Sequence, residues 1–187
     1  MTRLLLLLLL GASSAAHAIV IRDDVDDAEY RIPAAEFPAL VDMPGDGHGT
    51  LIAPRWAVTA AHTIPLHFEL KQVVINGIPR RVERVVIHPG YKALPQSLID
   101  QAMASGEAVL IVTFLASSDD IALIELTDRV TDVAPVALYG ASDEHGQVVK
   151  IVGKGRTSRP GRYGHAACNA RVSHYIEWID RVVSEQP

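Results

Sequence analysis

Thr50-Leu51-Ile52-Ala53-Pro54-Arg55-Trp56-Ala57-Val58-Thr59-Ala60-Ala61-His62 is the stretch on which the fold turns. Two short apolar runs, Gly49 to Ala53 and Trp56 to Ala60, flank Pro54-Arg55, which reads as a tight β-hairpin. The second run ends in two alanines and a histidine. Small residues let backbones pack closely, and a histidine at a strand end can face a cleft. Its imidazole can take and return a proton near neutral pH. Taken alone, such a histidine is more often structural than catalytic.

Working outward, the same rhythm continues. Gln72 to Ile75 and Val82 to His88 flank Asn76-Gly77-Ile78-Pro79, and Asn-Gly is a strong hairpin signal. Asp120 to Leu126 alternates poorly, since Ile121 to Ile124 are all apolar, as expected of a strand buried on both faces. Gln147 to Val152 is a further candidate strand. Closely spaced strands with frequent Gly and Pro predict an antiparallel sandwich or barrel. Two segments depart from this pattern. Gln96 to Ala108 has weak helical spacing and predicts an inserted helical loop. Val172 to Val183 places Val172, Tyr175, Ile176, Ile179 and Val183 on one helical face, with Ser173 as the expected N-cap.

Composition limits the function classes. The 187 residues carry 17 basic and 22 acidic side chains, a net charge of −5, and no basic run, which argues against nucleic-acid binding. Hydrophobic residues make up 49% and aromatics only 5%, a balance that excludes disorder. Residues 1–18 read as a secretory signal peptide: Arg3, then Leu4 to Leu10, then Ala16-His17-Ala18 with Ala at −3 and −1 of the cut. The leucine run is too short to span a bilayer, and no other segment reaches about 18 apolar residues. The expected product starts at Ile19-Val20 and is secreted or periplasmic, free of the membrane, and monomeric. With one Cys it has no internal disulfide. The acidic stretch Asp23 to Asp27 lacks the alternating ligands and Gly turn of a calcium loop, so a solvated segment is expected.

Ser118-Asp119-Asp120-Ile121-Ala122-Leu123 sets a carboxylate at the mouth of an apolar strand. A histidine Nδ1–H would satisfy it and be fixed by it in one tautomer. His62 and Asp120 lie far apart in sequence, so only the fold can join them.

The runs "GTLIAPRWAVTAAH" (Gly49 to His62), "HPGY" (His88 to Tyr91), "SDDIALIEL" (Ser118 to Leu126) and "YIEWI" (Tyr175 to Ile179) together resemble the trypsin-like (chymotrypsin-family, S1) serine peptidases, in the family's order. The resemblance implies an all-β fold, a trypsin-like double β-barrel with a C-terminal α-helix and the active site between the barrels. It implies that His62 is the general base and Asp120 its orienting carboxylate, with a peptide or protein substrate and no cofactor. Ile19-Val20 resembles the family's mature terminus, whose ammonium folds inward. Gly47 and Thr63 stand near where the family's first disulfide would be. The expected division is 19–135 for the first barrel and 136–187 for a shortened second barrel with the helix.

One part of the pattern does not match. The family's nucleophile sits in Gly-Asp-Ser-Gly-Gly-Pro, where glycines expose the Ser and aim backbone N–H groups at the oxyanion. This sequence contains no such run. Ser158, Ser173 and Cys168 are poor substitutes, since none has the surrounding motif, and the nucleophile stays unknown. Gly153-Lys154-Gly155 resembles a strand end of the second barrel, yet Ala170-Arg171-Val172 leads into the last helix soon after. Two-barrel all-β enzymes run to about 200–250 residues. The second barrel is therefore expected to be truncated and the chain inactive as a peptidase. The alternative is a non-catalytic pseudoprotease, a peptide- or protein-binding module. A metal site is not expected: His62 and His67 are five apart around Pro65, and His165 with Cys168 lacks two further ligands. "GKGRT" lacks the strand–loop–helix setting of a phosphate loop.

Overall fold

The computed structural model describes residues 26, 29, 31–44, 47–64, 69–141, 143, 146, 152 and 171–185. The strands and helices from Ala34 onward lie in one compact unit, Arg31–Arg156 with Asn169–Pro187. A second unit, Met1–Tyr30 with Thr157–Cys168, falls almost wholly outside the described residues.

Six strands close into an antiparallel barrel: β1 (Leu40–Asp42), β2 (His48–Ala53), β3 (Trp56–Thr59), β4 (Gln72–Ile75), β5 (Ile78–Ile87) and β6 (Ala122–Leu126). Their order around the barrel is β1-β2-β3-β6-β5-β4. The β2–β3 hairpin turns at Pro54-Arg55, as its sequence predicts, with Thr50 opposite Val58 and Leu51 opposite Ala57. The next turn is tighter than the four residues expected. Asn76 (φ 51°) and Gly77 (φ 76°) alone make it, so Ile75 faces Ile78, and Ile78 and Pro79 begin β5. Two successive positive φ values are the demand of a type I′ turn, which Asn-Gly meets at low cost. Strand β5 is long because it serves two neighbours. Its first half pairs β4, its second half pairs β6, and a register shift between Val82 and Arg84 bends it from one to the other.

Strand β6 is buried on both faces, as its unalternating run implied. Ala122, Ile124 and Leu126 join the barrel interior with Val41, Leu51, Ala57, Val73 and Ile75. Ile121 and Leu123 point outward into a second cluster with Trp56, Tyr175, Ile179 and Val182. The outer face is dry because the C-terminal segment covers it. Glu125 continues that outer series, and its buried side chain meets Arg84 Nε at 2.6 Å and Arg55 at 3.2 Å. The Arg84 guanidinium also lies 5.5 Å over the Trp56 ring.

The helices depart from expectation in two places. The insert between β5 and β6 holds α1 (Gln96–Ser105) and a separate α2 (Ala108–Ala116). Gly106, in the left-handed region at φ 73°, ends α1 by donating to Ala102 O. The unanticipated α2 is uncharged and rich in Val and Ile, so its sequence shows neither helical period nor strong helix preference. At the C-terminus, Val172–Tyr175 form a 3-10 turn and α3 runs Ile176–Ser184. Tyr175, not Ser173, occupies the N-cap position, and it makes no capping bond with its side chain. The buried stripe of Tyr175, Ile179 and Val182 otherwise follows the helical interval.

The fold is thus an all-β barrel with a C-terminal helix. Among the described residues no strand follows Leu126, and of the candidate strand Gln147 to Val152 only Val152 is described, outside any strand.

Candidate active site

The pairing of β3 with β6 builds the site. Thr59 lies opposite Ala122, so the residues just after β3 and just before β6 emerge at the same end of the barrel. Ala60 and Ala61 carry the chain into a 3-10 turn, Ala61–Thr63, with Ala61 buried. That turn is held by Thr63 N donating to Ala60 O at 3.2 Å and by Thr63 Oγ1 donating to the same oxygen at 2.7 Å. Beneath it, Thr59 Oγ1 donates to His48 O at 2.8 Å.

His62 and Asp120, 58 residues apart in sequence, meet there. Asp120 Oδ1 accepts the His62 backbone N–H at 2.8 Å, and its Oδ2 lies 2.6 Å from His62 Nδ1. One carboxylate therefore grips both the main chain and the ring of the same residue. An ionised carboxylate only accepts, so Nδ1 carries the proton and Nε2 keeps its lone pair. The imidazole is 65% exposed while Asp120 is 27% exposed, so the ring reaches outward from a sheltered anchor. Such an arrangement can accept a proton at Nε2 and stabilise the imidazolium that results.

A second His–Asp pair stands directly beside it. Asp119 Oδ1 accepts the Tyr175 hydroxyl at 2.9 Å, and Asp119 Oδ2 lies 3.4 Å from His88 Nδ1. His88 Nδ1 also accepts the Gly90 N–H at 3.1 Å. The His88 ring packs edge-on against Tyr175 and Trp178, with centroids 5.3 and 4.8 Å away. Gly90 is required here, since a Cβ on it would sit 1.9 Å from Asp119 Oδ2. The Tyr175 hydroxyl is pushed up to about 12, by burial first and then by its bond to Asp119 and the two Asp charges. Burial, then the Asp120 charge, also raises Tyr91. Nothing in the sequence reading assigned work to Tyr175, Asp119 or Gly90. The only signal was their presence in the "YIEWI", "SDDIALIEL" and "HPGY" runs.

The other sequence candidates fall as follows. Ile19, Val20, His67, Ser158, His165 and Cys168 lie outside the described residues. Ser173 sits in the 3-10 turn before α3. Gly47 and Thr63, where the resemblance sets cysteines, do face one another: a Cβ on Gly47 would lie 3.0 Å from Thr63 Cβ. Among the described residues no group of three or more His, Cys, Asp or Glu side chains is arranged to hold a metal ion. No helix among them is long and apolar enough to cross a membrane.

The chain is 31% identical over 118 residues to complement C1s subcomponent of Bos taurus, covering 56% of this chain and 15% of that protein's length. Among solved structures it is similar to neuropsin, a serine protease expressed in the limbic system of mouse brain. That match has a TM-score of 0.42 and 20% identity, over 59% of this chain and 47% of the other. The Trypsin family model matches residues 29–175, more than half of the sequence, and the chain accordingly belongs to the trypsin-like S1 serine protease family.

Proposed function

We propose that this chain carries the general-base half of a serine endopeptidase site and, as it stands, does not complete peptide hydrolysis. His62 is the base and Asp120 the carboxylate that orients it. The 2.6 Å contact between His62 Nδ1 and Asp120 Oδ2, with Nε2 left toward the open side, is the observation that carries this reading. Acyl transfer also requires a nucleophile within reach of Nε2 and donors for the oxyanion. The absence of a Gly-Asp-Ser-Gly-Gly-Pro run supports inactivity. The substrate class is peptide or protein, and export follows from the leader at residues 1–18, giving a secreted or periplasmic monomer.

A non-catalytic role in binding peptides or proteins is the second reading. It is favoured by apolar side chains on the α1–α2 insert, where Met103 is 79% and Val109 62% exposed. The purified chain, incubated with casein with and without a serine-directed inhibitor, is expected to show no inhibitor-sensitive cleavage. Inhibitor-sensitive turnover overturns the inactivity, as does a transcript encoding the missing motif between Gly155 and Ala170. Peptide binding that survives His62→Ala supports the second reading.

A further inference from the structure

Asp119 and Asp120 are consecutive, yet their carboxylates serve different parts of the molecule. Asp120 turns to His62, and Asp119 turns to the C-terminal segment. The dipeptide is tightly turned, with Asp120 N donating to Ser118 O at 3.0 Å and Ile121 N to Asp119 O at 2.8 Å, so a shift of one residue's backbone is passed to the next. Holding one carboxylate therefore aims the other.

The backbone around the dipeptide is tied to residues 88–92. Asp119 N donates to Gly90 O at 3.2 Å, His88 N to Ile121 O at 3.0 Å, and Lys92 N to Ser118 Oγ at 2.9 Å. These bonds fix where the chain runs. The carboxylate of Asp119 is boxed separately, by bare Gly90, by the His88 ring and by the Tyr175 hydroxyl. Tyr175 is itself 9% exposed and wedged against His88, so its hydroxyl has little freedom to follow a wandering carboxylate.

We infer that Tyr175 and Asp119 form a positioning clamp, through which the C-terminal segment sets the aim of Asp120 on His62. The clamp rests on the reading of His62 and Asp120 as the base pair. Tyr175 touches neither residue; it acts through the dipeptide. Because its hydroxyl stays protonated well past the ordinary tyrosine range, the donor persists wherever the base pair would operate.

The test is NMR of the full chain labelled with ¹⁵N-histidine. The unsubstituted protein is expected to show a protected, downfield Nδ1–H proton for His62. Asp120→Asn, as a positive control, abolishes it. Tyr175→Phe and Asp119→Ala are expected to lose it to solvent exchange, with the ring moving toward the Nε2–H tautomer. Asp119→Asn, whose amide oxygen still accepts from Tyr175, is expected to keep it. Trp178 fluorescence reports whether α3 stays docked; if Tyr175→Phe undocks it, Asp119→Ala decides. An unchanged signal in the deciding variant overturns the clamp while leaving the base pair intact. A missing signal in the unsubstituted chain overturns the base pair and the clamp with it.

Discussion

Two histidine–aspartate pairs lie side by side on this barrel, built from adjacent carboxylates, and they are fitted for opposite tasks. At His62–Asp120 the carboxylate spends both oxygens on one residue and leaves the ring 65% exposed, with Nε2 unbonded among the described residues. At His88–Asp119 the histidine side chain is 18% exposed, its Nδ1 is occupied by Gly90 N–H, and aromatic rings close over it. Residue type is the same in both, but His62 Nδ1 donates to its carboxylate, whereas His88 Nδ1 accepts the Gly90 N–H and so has no proton to give Asp119. The outer pair sits where β3 ends and β6 begins, and the His88 ring of the inner pair packs against Tyr175 and Trp178 of the C-terminal segment. What distinguishes the two histidines is thus which group each Nδ1 bonds and how far each ring is covered.

Substitution can break that contrast at several levels. The largest effect is expected at Leu123, which holds α3 over the inner pair. Leu123→Ala should cost about 2–5 kcal/mol in urea unfolding, as much as Ile124→Ala in the barrel interior, because both positions are fully buried. A much smaller cost at Leu123 would mean that the helix is an accessory cover and the inner pair no more sheltered than the outer.

Next is the Tyr175 bond to Asp119, where Tyr175→Phe should cost about 1.5–3 kcal/mol, the range for a hydrogen bond to a charged group. Its pH dependence has a definite sign. Folding raises the hydroxyl from 10.0 to about 12, so the folded state holds this proton more tightly than the unfolded one. The contribution is complete below pH 10 and is lost as pH climbs through about 12. Thermal melts of the unsubstituted chain and of Tyr175→Phe should converge across that window, and parallel curves would refute the assignment.

The smallest effects concern the histidines themselves. His88→Ala empties a packed site and should destabilise by about 0.5–3 kcal/mol, whereas His62→Ala should stay within about 0.5 kcal/mol. Equal costs, measured by denaturant unfolding, would erase the distinction between an inward structural pair and an outward chemical one.

Much of this was legible before any coordinates. The hairpin around Pro54-Arg55, the two-faced burial of Ile121 to Leu126 and the terminal apolar stripe each follow from local pattern, because strand and helix periods are written directly in residue spacing, although β6 itself starts at Ala122 and leaves Asp120 before it. Other features were not. The uncharged α2 has no period to read, and Ser173 reads as a cap although it lies inside the 3-10 turn Val172–Tyr175 that precedes α3. Ile78 and Pro79 read as turn residues, yet the turn closes on Asn76-Gly77 alone and leaves them in β5 opposite Ile75 and Val74.

By itself the sequence determined the strand-forming segments, the residue types able to do proton chemistry, and the want of a nucleophile motif. Each is a matter of which side chain stands where along the chain. Only the tertiary structure decided that His62 meets Asp120 while His88 meets Asp119. The reason is physical: antiparallel pairing of β3 with β6 brings distant residues to one end of the barrel, and the aromatic rings of the C-terminal segment cover His88 while His62 stays 65% exposed.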